Sequence, residues 1–350
     1  MRLAFVTVGD TSRRTGGHLY NARVLDGLRE RGVEVEEIVA CGESPEDQRA
    51  AALSLDERLS PERFDVIAVD ALARITCAPH LDRWRERAPL LAMVHELPSV
   101  ARADESERPN EEPLLRAERL VCVSRHGAGI LQSRGVAPER IHIVPPGLDG
   151  SPDRGYPARF PREEGGAARV LCVAQWIPRK GIVELVEAWK KRRKAANAEL
   201  EFIGETDADP VYAARVREAI AGADGILVRG PVPEDELRRA YAAADLFTLP
   251  SAYEGYGMVY AEAMSYGLPV VAFSTGPVPE VVGEAGIFVQ PGDVEELSRA
   301  LERALSDEAF RRAMSEAAFR RAGELSGWGS TVDGFKRALE AAIAQRAASL

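Results

Sequence analysis

The sequence predicts an α/β protein built of two Rossmann-like, doubly wound parallel-sheet domains. Three observations carry this expectation. Short, nearly unbroken apolar runs recur along the chain, as strands buried on both faces do. Segments of helical periodicity separate them, the alternation that builds βαβ units. A Pro/Gly-rich stretch divides the runs into two sets.

In the first set the predicted strands are Leu3–Val8, Val33–Ala40, Phe64–Asp70, Leu90–His95, Leu120–Ser124 and Ile141–Val144. In the second they are Val170–Ala174, Leu200–Gly204, Ile226–Arg229, Leu246–Pro250, Pro269–Phe273 and Ile287–Gln290. Tyr20, Val24, Leu25 and Leu28 share one face of a helix that Gly32 stops. Ile182, Leu185, Val186 and Trp189 mark a second helix. A third, from about Gly257 to Tyr266, ends in Gly267 followed by Pro269, the usual stop order. The stretch from Pro145 through Asp153 to Gly165-Gly166 reads as the inter-domain linker, which gives domains 1–149 and 150–330. Residues 102–112 (RADESERPNEE) read as a mobile surface loop.

At 350 residues the chain has the length of two ordinary domains. Its 45% hydrophobic and 29% charged residues can bury sizeable cores. The 45 basic and 55 acidic residues give a net charge of −10, which disfavours a nucleic-acid partner. Cys41, Cys77, Cys122 and Cys172 are far apart, with no CxxC spacing, and read as reduced thiols of a cytoplasmic protein. The apolar N-terminal run is too short for a signal peptide, and no stretch approaches a membrane span.

Open α/β sheets bind ligands at the carboxyl ends of their strands, so residues that follow strands carry most information. The first such motif is Glu254-Gly255-Tyr256-Gly257-Met258-Val259-Tyr260-Ala261-Glu262. Its glycines let backbone approach a ligand. The N–H groups around Gly257–Val259, at a helix start, suit an anion such as a diphosphate. The bland reading makes one glutamate a helix-dipole partner and the other a solvated helix residue. The second motif is Gln175-Trp176-Ile177-Pro178-Arg179-Lys180-Gly181, where Arg179 and Lys180 set two cations at a strand end. Lysine meets phosphate as a point charge and arginine meets it bidentately. A basic pair is also an ordinary surface feature.

These motifs, in this order, are followed by Gly267-Leu268-Pro269, Pro279-Glu280 and Gly286-Ile287-Phe288-Val289-Gln290-Pro291-Gly292-Asp293. So arranged, the sequence resembles the retaining GT-B glycosyltransferases, specifically glycosyltransferase family 4, most closely over 170–293. The resemblance implies two domains facing across a cleft. It also implies a nucleoside-diphosphate sugar, with a UDP or GDP base, as donor and an unidentified acceptor as partner. It implies retention of anomeric configuration and no required metal or other cofactor. Lys180 matches the lysine at the donor diphosphate, Glu254 the glutamate at the donor sugar, and Glu262 the glutamate at the ribose. Gly257, Met258 and Val259 match the segment over the phosphates, Gly255 and Tyr256 are expected to bind the donor with them, and Gly230 and Val232 match the loop near the nucleobase. Gln175 stands where the family usually has an arginine, and Arg179 is expected to compensate. His95 matches a histidine that reaches the donor sugar; by itself it reads as a packed polar residue. Gly16 and Gly17 match a glycine-rich turn near the donor phosphate or the acceptor. Ser124 and Arg125 end a strand where the family often has a serine. Trp328 with Val332–Ala342 resembles the family's final helix, which makes 331–350 a segment crossing back to the first domain.

Two further features have bland readings. Asp207-Ala208-Asp209 has the DxD spacing of a metal site in another glycosyltransferase fold, and reads here as a polar loop. Lys190-Lys191-Arg192-Arg193-Lys194 reads as a solvated helix end, with contact to anionic lipid as its alternative. The rival functions are a non-catalytic nucleotide-sugar binding protein, or another GT-B enzyme such as a nucleotide-sugar epimerase or a phosphorylase.

Overall fold

The computed structural model describes residues 1–8, 15–40, 42, 44–149, 166–193 and 197–349. Cys41, Lys194, linker residues 150–165 and most of the loop after the first strand lie outside them. The chain divides into two units, Met1–Gly147 with Ser326–Leu350, and Leu148–Leu325.

In the first unit β1 (Arg2–Val8), β2 (Glu34–Ala40), β3 (Val66–Asp70), β4 (Leu90–Val94), β5 (Arg119–Cys122) and β6 (Ile141–Ile143) form a sheet. Its order is β2-β1-β3-β4-β5-β6, parallel throughout. Every residue of β3 and β4 is buried, which is why these strands read as unbroken apolar runs. The order reverses between β1 and β3, and such a reversal opens a crevice at the strands' carboxyl ends.

The second unit holds β7 (Ala168–Val173), β8 (Ala198–Ile203), β9 (Ile226–Gly230), β10 (Leu246–Leu249), β11 (Val270–Phe273) and β12 (Gly286–Val289). All are parallel, in the order β12-β11-β10-β7-β8-β9. This is the Rossmann order, and it reverses between β7 and β10.

Helix Gly16–Glu30 buries Tyr20, Val24, Leu25 and Leu28, and helix Ile182–Lys191 buries Ile182, Leu185, Val186 and Trp189. Both buried faces are those predicted from periodicity. The last helix, Trp328–Ser349, packs within the first unit. There the Thr331 hydroxyl donates to the Pro145 carbonyl at 2.8 Å and the Trp328 ring lies 6.1 Å from that of Tyr20.

Two expectations are corrected. Residues 102–112 are not a mobile loop: a helical turn at Glu105–Glu107 leads into helix Arg108–Leu115. Glu111 there is fully buried. It accepts from the Ser99 amide at 2.8 Å and hydroxyl at 2.5 Å, and pairs with Arg134 at 3.0 Å. A carboxylate so satisfied can be buried, and its partners lie too far along the chain for local polarity to reveal them. Nor is the basic run a uniformly solvated end. Arg192 is buried, its guanidinium 3.7 Å from the Trp189 ring centroid and 3.7 Å from the Glu302 carboxylate. Lys190 donates to the Ala219 carbonyl and Lys191 pairs with Glu295.

Among the described residues no helix is long and apolar enough to cross a membrane. Cys77, Cys122 and Cys172 are buried thiols, and burial pushes those of Cys77 and Cys172 well up.

Candidate active site

In the second unit the chain leaving β7 and the chain leaving β10 are joined by backbone. The Ala252 amide donates to the Arg179 carbonyl at 2.8 Å. Gly181 has φ of +66°, and a Cβ on it would stand 2.1 Å from the Pro250 carbonyl oxygen. Only glycine admits both the conformation and the approach. This contact sets Lys180 beside Glu254, Nζ to Oε1 at 2.6 Å, with side chains 13% and 7% exposed. The Ser251 hydroxyl donates to the same oxygen at 2.6 Å, and Thr275 Oγ1 holds the Ser251 carbonyl at 2.9 Å. Arg179 Nη1 lies 3.7 Å from Glu254 Oε2 and donates to the Tyr253 carbonyl at 3.3 Å.

Burial alone would raise the Glu254 carboxyl. The charges of Lys180 and Arg179 and the hydrogen bonds from Lys180 and Ser251 outweigh it, and the group is held below its ordinary value. Glu254 is therefore an anion that holds two cations in place at the switch point.

Helix Met258–Ser265 follows, with Gly257 as N-cap at φ of +90° and no side chain capping it. A Cβ on Gly257 would stand 2.5 Å from the Tyr260 ring, while Tyr260 itself is anchored by its hydroxyl to the Leu249 carbonyl at 2.8 Å. The first amides of a helix have no partner within it, so the uncapped turn at Met258 and Val259 suits an anion. Gly255 and Tyr256 complete the loop; Tyr256 is buried, and burial pushes its phenol up to about 12.

Glu262 sits on this helix, half-buried, and accepts from the Tyr241 hydroxyl at 3.0 Å. Burial pushes its carboxyl up, and the charges of Asp149 and Glu234 add to the effect against the Tyr241 hydrogen bond. The two glutamates of one motif are thus shifted in opposite directions.

Gln175 Nε2 donates to Glu205 Oε2 at 2.5 Å, and the Trp176 amide donates to the Glu205 carbonyl at 2.8 Å. The glutamine is engaged with a carboxylate at the end of β8, so Arg179 and Lys180 are the cations gathered around Glu254. Gly230 and Val232 lie at the end of β9, two strands from the β7–β10 reversal. Asp209, of the DxD spacing, caps helix Pro210–Ile220 by accepting from the Tyr212 amide at 2.9 Å.

In the first unit, Gly16 opens helix Gly16–Glu30 and Gly17 lies over the His95 ring, which follows β4. His95 Nε2 is 3.1 Å from Asn21 Oδ1, and Asn21 Nδ2 donates to Asp70 Oδ2 at 2.5 Å. Burial pulls the His95 imidazole below its ordinary value. Ser124 is buried and caps helix Arg125–Ser133, accepting from the Gly127 amide at 3.0 Å.

Sequence reasoning missed Ser251, Thr275, Glu205, Tyr241, Asn21 and Asp70. Asp70 and Ser251 carried a usable signal, since each ends or follows a strand beside a reversal of sheet order.

Two doubly wound parallel-sheet halves in one chain are the architecture of the GT-B enzymes. Sucrose-phosphate synthase from Thermosynechococcus elongatus superposes with a TM-score of 0.80 at 20% identity, covering 96% of this chain and 97% of that one. HepE of Anabaena, solved in complex with UDP and glucose, superposes with a TM-score of 0.78 at 18% identity, covering 97% and 99%. The family model described as "Glycosyltransferase Family 4" matches residues 14–151, and that described as "Glycosyl transferases group 1" matches residues 167–307. The chain belongs to glycosyltransferase family 4. It is 31% identical over 235 residues to the MMP alpha-(1->4)-mannosyltransferase of Mycolicibacterium hassiacum, 66% of this chain and 56% of that one. The chain spans about half the length of the curated relatives it matches, as in that case.

Proposed function

We propose that this chain transfers a sugar from a nucleoside-diphosphate sugar to an acceptor hydroxyl, with retention of anomeric configuration and no required metal. The observation that carries the reading is the Lys180–Glu254–Arg179 constellation, built by backbone contact where the second sheet's order reverses. Family membership and the HepE complex with UDP and glucose support it.

As the nucleotide leaves, negative charge grows on its phosphate oxygens. Lys180, Arg179 and the uncapped start of helix Met258–Ser265 would stabilise that charge. They are held before the reaction begins, so no reorganisation is needed. Glu254, itself held by the Ser251 hydroxyl, keeps the Lys180 ammonium from swinging into solvent. Glu262, kept by burial nearer to its neutral form, would meet a ribose hydroxyl while Tyr241 holds its other oxygen.

The test has two stages. Thermal stabilisation is measured against a panel of nucleotides and nucleotide sugars, with and without magnesium. A selective ligand at 100-fold excess over Kd stabilises by about 2.7 kcal/mol. Transfer is then followed with the stabilising donor, with and without a chelator, and the product anomer is read by NMR. No stabilisation by any nucleotide would sink the donor site; an inverted product or loss of rate with chelator would overturn the stereochemical and metal readings.

A further inference from the structure

We infer that Asp70 and Asn21 lock the His95 ring in its Nε2–H tautomer, so that His95 offers Nδ1 as an acceptor and selects a hydrogen-bond donor on the substrate. The Asp70 carboxylate accepts from the Leu72 amide at 2.9 Å, the Thr7 hydroxyl at 3.3 Å and Asn21 Nδ2 at 2.5 Å. A carboxylate only accepts, so the Asn21 amide must turn its NH2 toward Asp70. Its oxygen is thereby turned toward His95 Nε2, 3.1 Å away. That oxygen also only accepts, so Nε2 carries the hydrogen. In a neutral imidazole the other nitrogen is then an acceptor.

Three features keep this assignment in force. Asn21 and Asp70 are buried, so water does not compete for the relay. The Tyr20 ring meets the imidazole edge-on, centroids 5.2 Å apart, and Tyr20 is fixed by its hydroxyl to the Val144 carbonyl at 3.0 Å. Burial and the neighbouring His18 disfavour a charged ring, whereas Asp70 and Glu96 favour it; burial prevails and holds the imidazole below its ordinary value. Among the described residues the hydrogen bond of the His95 ring is the one at Nε2, to Asn21 Oδ1.

The consequence is chemical selection. A hydroxyl or amide N–H can donate to Nδ1. A phosphate or carboxylate oxygen cannot, and would face a lone pair. His95 would therefore meet a hydroxyl or N–H of a substrate rather than a phosphate, a role that rests on the transfer reaction proposed above. Asp70 and Asn21 are positioning residues that act through the imidazole.

The experiment uses the full chain with 15N-labelled histidine rings and no ligand, with His95 assigned by His95→Gln. Two-bond proton–nitrogen spectra should show the Nε2–H pattern between about pH 6 and pH 8, the range in which an ordinary histidine changes charge. Asn21→Leu removes the acceptor, and Asp70→Asn lets the Asn21 amide turn over. Each should replace the single pattern by a tautomer mixture. Turnover should fall by up to about 100-fold, the cost of a misplaced reacting group. Donor-induced thermal stabilisation should persist. An Nδ1–H pattern in the unmodified chain would overturn the proposal, as would an unchanged pattern in both variants. If the spectra behave as expected but no sugar is transferred, the relay stands and the functional reading fails.

Discussion

The two units share one architecture and differ at the place where each sheet order reverses. Beside the β1–β3 reversal, a carboxylate, Asp70, organises neutral groups: a threonine, an asparagine and through it a histidine. Beside the β7–β10 reversal, a carboxylate, Glu254, organises cations, and the loops that carry them touch backbone to backbone. A reversal of strand order in a parallel sheet therefore serves two chemistries. Neutral relays can set a tautomer or a hydroxyl contact, whereas fixed cations answer a multiply charged ligand. The second kind needs closer main-chain packing, because long cationic side chains stay in place only when their loop does.

The largest test of this contrast is removal of one member from each cluster. Lys180→Met leaves Glu254 buried with Arg179 as its remaining cation. Breaking a buried pair in this way typically costs about 3–5 kcal/mol, and loss of a preorganised donor lowers turnover roughly 100–1,000-fold. Thr7→Val keeps volume and leaves Asp70 two of its three donors, so denaturant unfolding should show a loss of only about 1 kcal/mol. Equal losses for the two variants would mean that the ionic cluster is no more tightly coupled than the neutral one.

Glycine substitutions sharpen the comparison at the next level. Gly181→Ala sets a methyl against the Pro250 carbonyl at positive φ, and should cost upward of about 1–3 kcal/mol while parting the two loops. Among the described residues Gly17→Ala meets the His95 ring edge, at an ordinary 3.5 Å, and lies in the first turn of a helix, where alanine is no worse than glycine. Its melting temperature should hold or rise. A raised KM at unchanged stability would then show that substrate approaches the Gly17 backbone. A marked loss of stability would show that glycine is needed there for the fold alone.

The elements that sequence reasoning found and missed follow the range of the forces involved. The central strands β3, β4, β10 and β11 were legible because burial on both faces leaves a local apolar run. Lys180 and Glu254 were legible because each follows a strand in a glycine-bearing loop. Helix Arg108–Leu115 was not, although Pro109 in its first turn is a helix-start signal. Its acidic sequence looks solvated until Arg134 and Ser99 are brought to Glu111 by the fold. Arg192 is similar: a cation in a basic run is buried against Trp189 and Glu302 only once helix Val294–Ser306 packs beside its own. The Gln175–Glu205 and Asn21–Asp70 pairs have no motif at all. They join residues on or after different strands and helices, and become visible only when the strand order is known.

The smallest predicted effect divides the two glutamates of a single motif. The Glu254 carboxyl is lowered in the folded chain, so the stability it contributes is present above its ordinary value of 4.5 and is lost as pH falls through the lowered value. The Glu262 carboxyl is raised, so its contribution is full below its ordinary value of 4.5 and is lost as pH rises through the raised value. Above 4.5 only the second of these titrates. Glu262→Gln keeps an oxygen for the Tyr241 hydroxyl and removes the titration. The melting temperature of the variant relative to the unmodified chain should therefore rise with pH just above 4.5 and then level off, whereas the acid-side loss below 4.5 should be common to both. Parallel curves through the upper window would show that Glu262 titrates as a solvated carboxylate. The opposition between its burial and the cation-bound state of Glu254 would then disappear, and with it the physical reason for assigning the two glutamates different partners on the donor.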